Sequence, residues 1–381
     1  MKGKSMERSG QHKKRMANME ALRLVAMMMV VSLHYLGKGE LLGELNGTLA
    51  PKEYAAWLLE SFSIAAVNVY VLISGYFLVE TKFRIRRVIT LVLQILFYSC
   101  LIPVILLLTG RLSPGEITLY SIWQYIFPIN MKQYWFMSAY VLMFLFTPIL
   151  NAAVHAMKRE QLQAVVILLL LVESLPKTVI PARLALDNEG YDALWFIAVY
   201  LTAAYIRLYG IPFLEKKNRA AVCYMAACLG IFGLTMAIRG MYFLTGRFED
   251  FMKTPYGYNH LLTMGAAVAL FYVFKNWDFG GKGSRAETFV CRIAPCSLGV
   301  YLLHEHINVR YEWPFLLGAD RCNSVISLLG HWVLAVVIVM VCGIAVDFIR
   351  NILFQWMGKL FAGSRLDEAL QRVDDRVNGE R

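Results

Sequence analysis

The sequence predicts an all-α fold: a polytopic integral membrane bundle of about ten transmembrane helices, with both termini cytoplasmic. Three observations carry this. Hydrophobic residues make up 58% of the 381 residues and charged residues 17%, against about 45–50% and 25% in soluble domains. The apolar residues come in runs such as LQAVVILLLLVESL and HWVLAVVIVMVCGIAVDFI. These are apolar on every side, which suits lipid or a membrane bundle. The basic residues gather between alternate runs, 26 against 10 when the amino tail is placed inside, which is the positive-inside pattern.

Taken in order, spans are expected at Asn18–Leu36, Trp57–Val79, Val88–Thr109, Tyr134–Val154 and Leu162–Leu175. Five more follow at Ala193–Tyr209, Ala220–Phe243, His260–Phe274, Ile293–Asn308 and Ser324–Ile349. Several fall short of the ~20 residues of a perpendicular span, so their ends extend into polar flanks. The first run follows a basic tail, as a secretory signal does. It carries Arg23 and His34 and no A-x-A-like cleavage site follows it, so it is read as a retained helix. Residues 121–130 suit a re-entrant or interfacial piece. The organisation is therefore a basic cytoplasmic tail over 1–17, a ten-helix membrane domain over 18–349, and a cytoplasmic polar tail over 350–381. Within that last tail LFQWMGKLF is amphipathic.

A net charge of +11 would raise nucleic acid for a soluble chain. Here topology accounts for it, and no nucleic-acid partner is expected; the lipid bilayer is the partner. The seven cysteines sit mostly inside apolar runs and form no disulfide framework. No Walker loop, zinc-protease helix or hydrolase elbow is present, which argues against an ATP-driven pump and an intramembrane metalloprotease. No metal site and no tightly bound cofactor are expected.

Any chemistry must come from polar residues within or beside the spans. Charged groups there are costly and usually face a polar interior. Arg23 and His34 lie 11 residues apart; at ~100° per residue that is within ~20° of three full turns, so they share a face about 16 Å apart along the axis. An aqueous slot rising from the cytoplasm explains both. An arginine snorkelling inward and an interfacial histidine also explain them. The second span, NVYVLISGYFLVETKFRIRR, descends past Asn68 to Ser74, Gly75 and Tyr76, with Arg84, Arg86 and Arg87 just beneath. Three arginines at an inner mouth suit phosphate groups, as well as ordinary positive-inside flanking. Trp135 and Phe136 enter the fourth span where aromatic belts occur. In SLGVYLLHEH, Ser297, Tyr301 and His304 recur at helical spacing.

Together these clusters resemble the membrane acyltransferase-3 family. The resemblance rests on Arg, ten residues, then His in the first span (EALRLVAMMMVVSLHY), and on S-G-[FY] followed by arginines (VNVYVLISGYFLVETKFRIRR). The pair Trp135-Phe136 and S-x-G-x-Y-L-x-H (SLGVYLLH) complete it. It extends from the first span to the ninth. Many members carry Asp where this chain has Asn68, so a carboxylate role there is not expected. The resemblance implies transfer of an acyl group, commonly acetyl, from cytoplasmic acyl-CoA, a co-substrate, to a hydroxyl of a cell-surface glycan or lipid-linked sugar. It implies a multi-pass protein of the bacterial plasma membrane. On that reading His34 and Arg23 are catalytic, and Arg84, Arg86, Arg87 and Ser74 hold acyl-CoA. Asn68, Tyr76, Trp135, Ser297, Tyr301 and His304 shape the substrate pocket. A transporter or flippase for a polysaccharide precursor, or a membrane sensor, is the alternative.

Overall fold

The computed structural model describes residues 16–180, 187–278, 284–361 and 363–379, so most of the basic tail expected at 1–17 lies outside the described residues. Among those residues all regular structure is helical. In order the helices are α1 (Ala17–Lys38), α2 (Pro51–Ser63), α3 (Ala66–Leu78), α4 (Ile85–Leu108), α5 (Leu119–Ile126), α6 (Trp135–Ala156), α7 (Arg159–Glu173) and α8 (Leu175–Val179). Then come α9 (Ala193–Tyr209), α10 (Lys217–Thr245), α11 (Leu261–Lys275), α12 (Arg285–Ile293), α13 (Ser297–His304), α14 (Trp313–Leu316), α15 (Val325–Phe361) and α16 (Arg365–Val377).

Local chemistry sets these boundaries. Pro51 opens α2, where its missing N–H would be unpaired in any case. Asp192 caps α9 by accepting from Trp195 N at 2.9 Å, and Ser364 caps α16 through Asp367 N at 3.3 Å. Pro295 separates α12 from α13, so the predicted ninth span, Ile293–Asn308, holds α13 and only the last residue of α12.

Eight segments are long and apolar enough to cross a membrane: α1, α2–α3, α4, α6, α10, the segment ending in α11, α12–α13 and α15. Helix α9 is apolar but only 17 residues long. Another short expected span, Leu162–Leu175, falls on the 15-residue α7, which runs almost directly into α8. The segment expected at 121–130 contains most of α5, which turns back sharply into α6.

Helix α1 sits at the centre, packed against α2, α3, α11, α12, α13 and α15. Helix α3 meets α9 at Gly75, where a Cβ would stand 2.8 Å from Ala203 Cβ and 3.2 Å from Tyr200 Cα. Only a bare Cα permits that approach. Helices α10 and α15, by contrast, present exposed Val222, Leu229, Val333, Val337 and Val341, the apolar surface that lipid covers.

Polar contacts between connecting segments sort the helix ends into two groups. At one end Asn18 donates to Lys275 O at 3.2 Å, Asn276 to Leu214 O at 2.8 Å, Arg207 to Glu80 at 2.9 Å, and Asn378 to Phe83 O at 2.9 Å. The first and last described segments therefore share an end. At the other end Arg239 donates to Leu45 O and Gly47 O, Lys52 to Cys322 O, and Asn259 to Glu173 O.

Candidate functional site

Arg23 and His34 project from the same face of α1 into one cavity of about 240 Å³. Ser74 from α3, Trp135 from the start of α6, and Ser297 and Tyr301 from α13 line it with them. Six of the sequence-predicted site residues thus meet around one space. Tyr70, Tyr140 and Tyr258 add to its polar lining. Tyr70 donates to Arg23 O at 2.8 Å and Tyr140 to Ser74 Oγ at 3.2 Å. The Arg23 guanidinium is paired with Glu20 at 2.7 Å, one turn back on α1.

His304 does not line the cavity but stands directly behind His34. Its Nδ1 lies 2.6 Å from Val300 O, and its Nε2 lies 2.9 Å from His34 Nδ1. A carbonyl oxygen only accepts, so the His304 proton must be on Nδ1 when the ring is neutral. Its Nε2 then offers a lone pair, and His34 Nδ1–H donates to it. That leaves His34 Nε2 with a free lone pair, and among the described residues no group bonds to it. The tautomer of His34 is thus set by a carbonyl on another helix, four residues before His304.

A carboxylate adjoins this pair. Glu305 Oε2 lies 3.2 Å from His34 Nδ1, contacts the Lys38 ammonium, and its other oxygen is 3.7 Å from Arg310. Glu305 is 4% exposed, so it acts in a low-dielectric setting where charge interactions are strong. Any positive charge formed on His34 meets this carboxylate at hydrogen-bonding range. Sequence reading placed Glu305 in the ninth span but gave it no role, and gave none to Lys38 or Arg310. The HEH tripeptide was its only local sign.

His34, His304 and Glu305 also form, among the described residues, the one set of three such side chains with ligand atoms within 4.8 Å of one another. The imidazole pair is already joined by a proton, and Lys38 already sits on the carboxylate. A cation there would have to displace both.

Tyr301 lines the cavity, its buried hydroxyl donates no hydrogen bond among the described residues, and its ring centroid is 6.3 Å from that of His34. An unpartnered donor of this kind is rare in a folded interior. Helix α13, which carries Tyr301, is held by a buried network. Asp347 on α15 accepts from Tyr98 at 2.9 Å, Gln94 at 3.1 Å and Arg350 at 3.0 Å. Its carboxylate lies where a Cβ on residue 299 would be, which gives Gly299 its place in the SLGVY motif.

The remaining predicted residues are placed elsewhere. Asn68 is fully buried, donating to Tyr258 O at 2.7 Å and accepting from Trp195 Nε1 at 2.9 Å, so it ties three elements together. Tyr76 packs on Phe271, with the Arg207 guanidinium 4.8 Å from its ring. Arg84 is the N-cap residue of α4. Arg86 pairs with Asp367 of α16. Arg87 lies 3.5 Å from Thr81 Oγ1. Helix α16 docks over this turn, Asp374 accepting from Ile85 N at 2.6 Å.

A family model described as an acyltransferase domain, of the acyltransferase-3 type, matches residues 16–349. No curated protein and no solved structure matches the chain.

Proposed function

We propose the reaction from one premise: the chain belongs to the membrane acyltransferase-3 family, and it is a multi-pass membrane acyltransferase. The finer reading is an O-acyltransferase of the bacterial plasma membrane. It takes an acyl group, in the first instance acetyl, from acyl-CoA on the cytoplasmic side and delivers it to a hydroxyl of a cell-surface glycan or lipid-linked sugar. The observation that carries it is the free Nε2 of His34, backed by His304 and Glu305 and facing a cavity shared with Arg23.

The chemistry follows from that geometry. The acceptor hydroxyl gives its proton to His34 Nε2 as its oxygen attacks the thioester carbonyl. The imidazolium so formed keeps its Nδ1–H on His304 and is stabilised by the Glu305 carboxylate. The carbonyl oxygen, now negative, is met by the Tyr301 O–H, a preorganised donor. Collapse breaks the C–S bond, and the coenzyme A thiolate takes the proton from His34, leaving an ester and free thiol. Arg84 and Arg87, with Arg86 where Asp367 releases it, supply cations at the α4 turn for the CoA phosphates. The shared end of the described chain termini and the positive-inside count support a cytoplasmic position for that turn. Inverted membrane vesicles given labelled acetyl-CoA outside and acceptor within test this. Label should enter the acceptor as ester; transport of intact sugar without acylation would instead mean a transporter.

A further inference from the structure

Helix α16 holds the turn before α4 by its polar edge. Asp367, Asp374 and Asn378 follow one another at i, i+7 and i+11, so they project from one side of the helix. Arg86 pairs with Asp367, and Asp374 Oδ1 accepts from Ile85 N at 2.6 Å. Asn378 exchanges two hydrogen bonds with Phe83, accepting from its N at 3.1 Å and donating to its O at 2.9 Å. Ile85 is the first residue of α4, so its N–H is one that a helix leaves without an internal partner, at the positive end of the dipole. Arg84, Arg86 and Arg87 stand around it, all exposed. Asp374 is only 7% exposed. Taking a carboxylate out of water is costly unless it is well paired, and here it is paired with the start of α4. Two acidic side chains thus occupy the setting in which anionic oxygens bind: a helix N-terminus beside guanidinium groups.

No apolar seam seals this contact. Leu366, Leu370, Val373 and Val377 form the i, i+4, i+7, i+11 stripe of an amphipathic helix, yet Leu366, Val373 and Val377 are exposed. A helix packed for stability buries that stripe; α16 turns it outward and holds on through ion pairs and hydrogen bonds. Beside the contact is a recess of about 640 Å³, lined by Lys82, Phe83, His155, Val377 and Asn378. Exposed ion pairs contribute about 0–1 kcal/mol each, so a ligand carrying several phosphate charges outcompetes them.

We propose that α16 is an intramolecular latch on the acyl-CoA site. Asp367 and Asp374 take the place of phosphate oxygens at the α4 turn, and the phosphates of the incoming co-substrate displace them. This rests on the reading of Arg84, Arg86 and Arg87 as phosphate ligands. Opening the latch draws on the binding energy of acyl-CoA, so it raises the KM for that substrate and leaves kcat alone.

The test uses the full-length protein in lipid nanodiscs, with coenzyme A and inorganic tripolyphosphate as probes. Hydrogen exchange over residues 365–377 reports the latch, because a lone 13-residue helix is marginal in water. Saturating coenzyme A should speed that exchange. Asp367→Asn combined with Asp374→Asn should exchange fast without ligand and bind coenzyme A about 10-fold tighter. Asp375→Asn, which removes a charge from α16 at a residue bonded to Gln371, should bind as the wild type does. Coenzyme A that binds without speeding exchange, or wild-type affinity in the double variant, overturns the latch and leaves the acyl-CoA reading standing. Faster exchange with tripolyphosphate, but no binding of coenzyme A, keeps the latch and sinks that reading. Exchange unmoved by either probe, with no binding of either, overturns both.

Discussion

His34 Nδ1 and His304 Nε2 stand 2.9 Å apart although 270 residues separate them in the chain. Because His304 Nδ1 is committed to Val300 O, this single contact decides which nitrogen of His34 is free. Replacing His304 with Ala leaves Nδ1 to share Glu305 with Lys38, so the ring loses its fixed tautomer and orientation. The expected outcome is a kcat about 10²-fold lower with the KM for acyl-CoA little changed. His304→Gln, whose side-chain oxygen can accept from His34 Nδ1, should recover part of the loss. Steady-state kinetics on the two variants check this; equal activity in His304→Ala would remove His304 from the relay. His34→Ala should abolish ester formation while leaving the protein folded.

Tyr301→Phe keeps the ring against Tyr134 and Phe136 and removes only a hydroxyl that donates no hydrogen bond among the described residues. If that hydroxyl meets the developing oxyanion, kcat should fall by about 10²–10³-fold. Thermal stability should hold or rise, since no buried donor is then left unpaired. A variant with normal kcat would mean that another group meets the oxyanion. The combination of lower kcat and unimpaired stability is what separates a chemical role from a structural one.

Much of this site was legible in one sequence because it rests on helical period. Arg23 and His34 share a face of α1 by spacing alone, and Ser297 and Tyr301 share a face of α13 by the same arithmetic, though spacing does not say that the two faces meet. Asn68 was not legible in this way: its partners, Tyr258 O and Trp195, lie 190 and 127 residues away, and no local pattern records such pairing. Arg86 read as a phosphate ligand because Asp367, its partner, belongs to a distant helix. Glu305 had a charge in a membrane segment to mark it, yet its meaning depends on Lys38 and His34 arriving beside it from α1. The short α7 and α9 were seen as apolar runs, but run length alone does not say how such pieces are seated among longer neighbours.

The Asp347 network should carry stability rather than chemistry. Asp347→Ala leaves Arg350, itself 6% exposed, buried beside Gln94 and Tyr98 without its counter-charge. Breaking a buried pair in this manner costs about 3–5 kcal/mol. Gly299→Ala forces a methyl into the space of the Asp347 carboxylate, for about 1–3 kcal/mol. Both should lower the thermal midpoint in detergent, and both should slow catalysis by shifting α13 and with it Tyr301 and His304. Full stability in Gly299→Ala would mean that α13 can slide without disturbing Asp347.

The turn ahead of Tyr191, a strap in which Asp187 accepts from Asn259 at 2.8 Å and pairs with Lys177 at 2.7 Å, gives a pH dependence with a definite sign. Burial alone would raise the carboxyl of Asp187, but hydrogen bonds from Lys177, Asn259 and the Glu189 backbone outweigh it and hold it below its ordinary value. A carboxylate with a depressed folded-state value stabilises the folded strap fully above its unfolded value, and that contribution is lost as pH falls through the folded one. The strap should therefore be firm at neutral pH and loosen only in acid, below the usual carboxylate range. Asp187→Asn removes the charge at every pH and should flatten this dependence while keeping the shape of the turn. Thermal stability measured from neutral pH downward in both proteins checks the point. A wild-type acid loss that persists unchanged in Asp187→Asn would place the responsible carboxyl elsewhere.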